Sequence, residues 1–149
     1  MSKRVLVSSL IGVAVLGGVA AGGLATASAA SKPTVENGSA RYVAPAHGAP
    51  GALTYTADVR DDSGIRGLKV LAWPASSRLD PTAAELRHAE DATCRSTTAG
   101  TSRCTYTLRV TEEEEAELAE GTWYVSALAT AEDGDTAFVP RGASFAVTR

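Results

Sequence analysis

Between Cys94 and Cys104 the chain reads CRSTTAGTSRC, and outside Thr98-Ala99-Gly100 each residue faces its own kind across the middle. A three-residue turn with glycine last suits a hairpin whose final loop residue is left-handed, a conformation glycine adopts without steric cost. Pairing Thr97 with Thr101 sets Cys94 opposite Cys104 at a non-hydrogen-bonded position, where strands approach closely enough for a disulfide. Extending the second strand divides its faces. Cys104, Tyr106, Leu108 and Val110 share one side, and Arg103, Thr105, Thr107 and Arg109 share the other. The disulfide therefore points to the core. Closing a loop of this size is worth about 3 kcal/mol in the chain-entropy model. The same register places Arg95 opposite Arg103, a like-charge pair that repels. It reads as a charge-guarded edge, with the grip of an anionic partner as the alternative.

The rest of the chain is punctuated like an all-β protein with short helical inserts. Leu53, Tyr55, Ala57 and Val59 alternate with Thr54, Thr56, Asp58 and Arg60, the period of a half-buried strand. Asp61-Asp62-Ser63-Gly64 is a turn, and Leu68 to Trp73 is a second strand that stops at Pro74. Asp80 followed by Pro81 predicts an N-cap and a helix from Pro81 to about Glu90. Thr111 with Glu114 is a capping box, and Gly121 ends the turn it opens. Thr122 to Thr130 is the strongest strand, and a last strand finishes near Phe145 to Val147. Residues 31–51 read as an extended leader with an edge strand near Pro33 to Glu36, ahead of a domain over residues 52–149.

The N-terminus speaks to compartment. Lys3 and Arg4 precede an apolar run from Val5 to Val19, and Ala25 to Ala30 offers A-x-A cleavage frames, so residues 1–30 read as a removed signal peptide. A retained membrane anchor is the competing reading. The expected product is secreted and extracellular. Removing Lys3 and Arg4 from the 14 basic residues leaves 12 against 17 acidic ones, a net charge of −5. Such a domain is a poor nucleic-acid binder, because phosphate contacts need a positive face. Two cysteines in an exported chain fit one disulfide better than zinc, which needs three or four ligands.

The stretch Leu118-x-x-Gly121-x-Trp123-Tyr124, the run Val125 to Thr130, and the turns Glu132-Asp133-Gly134 and Asp62-Ser63-Gly64 resemble bacterial immunoglobulin-like modules. The likeness spans Leu53 to Val147. Joined to the signal peptide, it also resembles small exported actinobacterial proteins of unknown function. The resemblance implies an immunoglobulin-like antiparallel β-sandwich of about seven strands with a short helical insert. It departs from antibody domains in keeping both cysteines within one hairpin.

Catalysis is not expected. There is no G-x-S-x-G frame, and neither His47 nor His88 has an evident partner. No cofactor is expected either. Strand parity turns Leu71, Trp73, Tyr124 and Leu128 to one sheet's outer face, a candidate patch for a protein or cell-wall partner. Leu79, Ala83 and Leu86 of the predicted helix offer a cover for the same patch. A secreted binding or adhesion module is the leading function, and a hydrolase inhibitor presenting the tip at Thr98 to Thr101 is the alternative. Sandwich topology further gathers Asp61 and Asp62 with Glu132, Asp133 and Asp135, a candidate calcium site, although the spacing matches no EF-hand loop and local turn formation alone is enough to account for aspartates there.

Overall fold

A computed structural model of the protein describes residues 31–149; residues 1–30, read above as a signal peptide, lie outside the described residues. Eight strands form two antiparallel sheets. They are β1 (Thr34–Val43), β2 (Gly51–Arg60), β3 (Ile65–Pro74), β4 (Glu90–Asp91), β5 (Thr93–Thr98), β6 (Thr101–Val110), β7 (Gly121–Ala131) and β8 (Thr136–Val147). One sheet runs β1-β2-β6-β5 and the other β4-β3-β7-β8. In immunoglobulin lettering this is A-B-E-D against C′-C-F-G, the sandwich the sequence predicts. Two short helices interrupt it: α1 (Ala83–Leu86) and α2 (Glu112–Glu117).

The core follows from parity. Leu53, Tyr55, Ala57 and Val59 of β2 meet Leu68 and Val70 of β3 and Val125, Ala127 and Ala129 of β7 between the sheets. Residues between them on β2 are only partly covered, so the period of two in the sequence is the period of burial in the fold. Cys104 is fully buried in that core and bonded to Cys94, with Cα atoms 4.0 Å apart. The register Cys94↔Cys104, Arg95↔Arg103 and Ser96↔Ser102 is as the sequence predicts. The like charges are reconciled by a third strand, because Asp58 of β2 stands beside Arg103 and binds its guanidinium at 2.7 Å.

Several expectations are corrected. The leader is a full strand: β1 pairs with β2 from Thr34↔Arg60 to Val43↔Ala52, with a bulge between Glu36 and Ser39. Its alternation is weak because edge residues are largely exposed, which is why only its first few residues read as a strand. The hairpin closes at Thr98↔Thr101, with the irregularity at Thr97. The first helix starts two residues later than predicted. Thr82, and not Asp80, is its N-cap, because Glu85 three residues on completes a capping box. It also ends early, since Glu90 and Asp91 leave to pair with Val70 and Lys69 of β3. The capping box of Thr111 and Glu114 opens α2 as expected.

Gly100 holds φ +78°, and a Cβ there would sit 2.8 Å from the Asp61 carbonyl oxygen. Asp61 N–H also donates to the Gly100 carbonyl at 2.8 Å, so the tip rests on the β2–β3 turn. Gly100→Ala is expected to cost about 1–2 kcal/mol for the left-handed backbone alone. Urea unfolding measures it, with Gly67→Ala, which meets nothing within 4 Å, as the comparison.

Candidate functional site

The four residues of the expected partner patch do gather on the outer face of the β3–β7 pair. Trp73 is paired with Tyr124 in register, with ring centroids 5.1 Å apart. The face is not open, however. Trp73 and Leu128 are each only 3% exposed. The segment from the 3-10 turn at Ala75–Ser77 to α1 packs over β7 and β3, and Leu86 is fully buried beneath it. Ser126 completes a small second core: the Trp73 indole N–H donates to Ser126 Oγ at 2.9 Å, and that hydroxyl donates to the Pro140 carbonyl at 2.6 Å. The Arg141 guanidinium lies 4.7 Å from the Tyr124 ring centroid and closes its rim. Of the two readings of the face at Leu71, Trp73, Tyr124 and Leu128, a candidate partner patch or a face covered by the helix, the burial of Trp73 and Leu128 fits the cover, because leaving an indole in water costs more than laying one helical turn over it. Leu79, expected to share the cover, is 43% exposed.

The two acidic loops also meet, since Glu132 N–H donates to the Gly64 carbonyl and Asp133 N–H to Ser63 Oγ. Yet the five carboxylates do not form a cage. Asp61 caps its own turn, accepting from Ser63 N–H at 2.8 Å and Ser63 Oγ at 2.6 Å. Asp133 accepts from Asp135 N–H at 3.0 Å, and Glu132 turns toward Arg66. Among the described residues no three histidine, cysteine or carboxylate side chains converge to hold a metal ion. Of the five candidate calcium ligands Asp61, Asp62, Glu132, Asp133 and Asp135, Asp61 and Asp133 serve as turn formers, since aspartate in a tight turn satisfies the nearest N–H first. Asp61 alone among them is buried, with Oδ2 unpartnered.

A different site emerges where the sheets part. An apolar cleft of about 370 Å³ runs between their lower halves, within the range of small-ligand sites. Leu53, Tyr106, Leu108 and Val110 line one wall, and Val70, Ala72, Trp123 and Phe145 the other. Leu108 was expected to be buried with the rest of its face, but it is 41% exposed at the mouth. His88 and Glu90, both exposed, form a polar lip.

The cause is a strand switch. Glu90 and Asp91 pair with β3 in one sheet, while Thr93 already pairs with Thr105 in the other, so only Ala92 separates the two. β5 thus begins too late to cover the lower part of β6. Among the described residues, nothing pairs with the outer edge of β6 from Tyr106 to Val110. The sheets are held together at the top of the gap by the Tyr106 hydroxyl, which donates to Glu90 Oε2 at 2.7 Å. At the bottom, Tyr42 donates to Glu115 at 3.3 Å. Burial and the adjoining Glu90 carboxylate push the Tyr106 phenol well above its ordinary 10.0. Burial raises Tyr55 likewise, and burial with Glu115 raises Tyr42.

The sign of the pH dependence follows. A phenol whose folded pKa is raised stabilises the fold fully below pH 10, and that stability is lost as pH climbs past the unfolded value. Unfolding midpoints should be unaffected by these three tyrosines up to pH 9 and should fall progressively above pH 10. Tyr106→Phe should flatten the alkaline decline, and an unchanged slope would dismiss the Tyr106–Glu90 tie as its source.

Residues 35–129, from β1 through most of β7, match the model of a protein family described as "Family of unknown function (DUF5707)". The chain belongs to that family. No curated protein and no solved structure matches it. The stretch shared with DUF5707 contains the strand switch, the disulfide hairpin and the β6 edge; Phe145 and Val147 of the cleft lie beyond it. Sequence reasoning missed the cleft because the apolar strand residues of its two walls have an inward parity and read as core. The available signal was the spacing: the three residues Asp91, Ala92 and Thr93 between Glu90 and Cys94 are too few for a strand matching all of β6.

Proposed function

We propose that the protein is an exported, non-catalytic binding module that holds an apolar partner in the cleft between its sheets. The observation that carries this reading is the cleft itself, an apolar space left open by the late start of β5 with Leu108 at its mouth. Large apolar side chains at an opening are costly to leave in water, and a partner that covers them recovers that cost. The hairpin disulfide supports an oxidising compartment, in accord with the signal-like N-terminus. The polar groups at the lip favour binding over chemistry, since Glu90 is already engaged by Tyr106.

The alternative, inhibition of a hydrolase by the tip at Thr98 to Thr101, has weaker support. Inhibitory loops present an extended segment, whereas this tip is a tight turn bonded to Asp61. Binding is tested by immobilising the purified protein and incubating it with culture fluid and envelope extract of the producing cell. A partner should be retained by the wild type and by Thr97→Glu, and lost by Leu108→Glu, which puts a charge at the mouth. A wild-type resin retaining nothing above blank resin would overturn the proposal.

A further inference from the structure

The cleft is not bounded by side chains alone. Along its mouth runs the outer edge of β6 from Tyr106 to Val110, where the inner edge is paired with β2 and alternate residues turn N–H and C=O groups outward with no partner among the described residues. A lipid or other apolar small molecule would fill the cleft and leave these groups unused. An extended polypeptide uses both, because main-chain bonds to a sheet edge give affinity and a pocket beside that edge receives alternate side chains. A second copy of this chain fits less well. Its own β6 already commits its inward side chains to its own cleft, so edge-to-edge pairing would leave both clefts empty.

We infer that the partner is an extended segment of another protein, added to β6 alongside Tyr106–Val110 with one or two apolar side chains lowered into the cleft. This rests on the binding reading above and names the class of partner. Charge gives the segment a direction. Immediately beyond Val110 stand Glu112, Glu113 and Glu114, all exposed, so the end of the segment lying there carries lysine or arginine. The occupant thus alternates apolar and polar residues over about five positions and is basic at one end.

The test is a random octapeptide library displayed on phage and panned against the purified protein. Enriched peptides should alternate apolar and polar residues, carry a basic end, and lose at least tenfold in affinity to Leu108→Glu. Synthetic versions are then N-methylated at alternate residues in each of the two phases. Only the phase whose N–H groups face β6 should weaken, by about tenfold or more as hydrogen bonds are lost, and only the outward-facing alternate amides between Tyr106 and Val110 should gain protection from hydrogen exchange. No enrichment, equal tolerance of both phases, or protection elsewhere overturns the inference. An apolar dye, N-phenyl-1-naphthylamine, separates the two readings. If the dye binds wild type but not Leu108→Glu while no peptide does, the strand inference falls and the cleft remains a binding site. If wild type binds neither and the resin above is empty, both fall.

Discussion

Replacing Trp73 with alanine is expected to destabilise the fold by about 3–5 kcal/mol, the usual range for a buried large aromatic. Trp73 has almost no exposed surface, and its indole N–H is bonded to Ser126 in a second core beneath α1. Removal deletes the ring's packing against Tyr124 and strips Ser126 of its donor partner, while Ser126 keeps the Pro140 carbonyl. Against a typical net stability of roughly 5–15 kcal/mol the loss threatens folding at elevated temperature. Urea unfolding of Trp73→Ala and Trp73→Phe measures it, with the phenylalanine variant keeping part of the packing and losing the hydrogen bond. A cost below about 1 kcal/mol for the alanine variant, as an exposed partner anchor would give, would mean that the α1 segment does not cover this face in solution.

The second large effect belongs to the hairpin. Cys94→Ala with Cys104→Ala should lower stability by about 3 kcal/mol, from freeing the loop in the unfolded chain. For a domain of this size that is a fall of roughly 10–15 °C in Tm. Cys104 is wholly buried while Cys94 is partly covered, so alanine at 104 leaves the larger void. The wild type in strong reductant should approach the variant's Tm. If the two-alanine protein melts with the oxidised wild type, the crosslink contributes nothing, and the hairpin stands on its register and the Arg103–Asp58 pair alone.

How much of this was legible in the residues differs by region, for physical reasons. The hairpin register was readable because the disulfide and the mirrored sequence fix it twice, and β2 was readable because it faces one core and one solvent side. Trp73 was harder. Both faces of β3 are apolar, and the sequence could not say whether Leu71 and Trp73 met a partner or a local cover. The answer depended on where a four-residue helix fell, and its start was set by Thr82 with Glu85, not by the Asp80-Pro81 signal. The acidic loops were placed together correctly, but whether a carboxylate turns outward to a cation or inward to its own turn is decided by single N–H groups such as that of Ser63. The cleft was least legible of all, since it arises from missing coverage: a strand that starts at Thr93 and not four or five residues earlier.

The direction of the chain through the sandwich carries a consequence for attachment. β1 begins at Thr34 opposite Arg60, at the end that holds the Asp61 turn and the hairpin tip. The cleft lies toward the opposite end, where Leu53 faces Leu108 and Gly51 faces Val110. Ten-residue strands put roughly 30 Å between the two ends. The C-terminus is at the cleft end, where Arg149 donates to the carbonyls of Glu115, Ala116 and Leu118 and so caps α2. Whatever is joined ahead of Thr34, whether a surface, a membrane or an affinity resin, therefore leaves the cleft pointing away from it, while the same object joined after Arg149 would crowd the mouth and pull on the cap of α2.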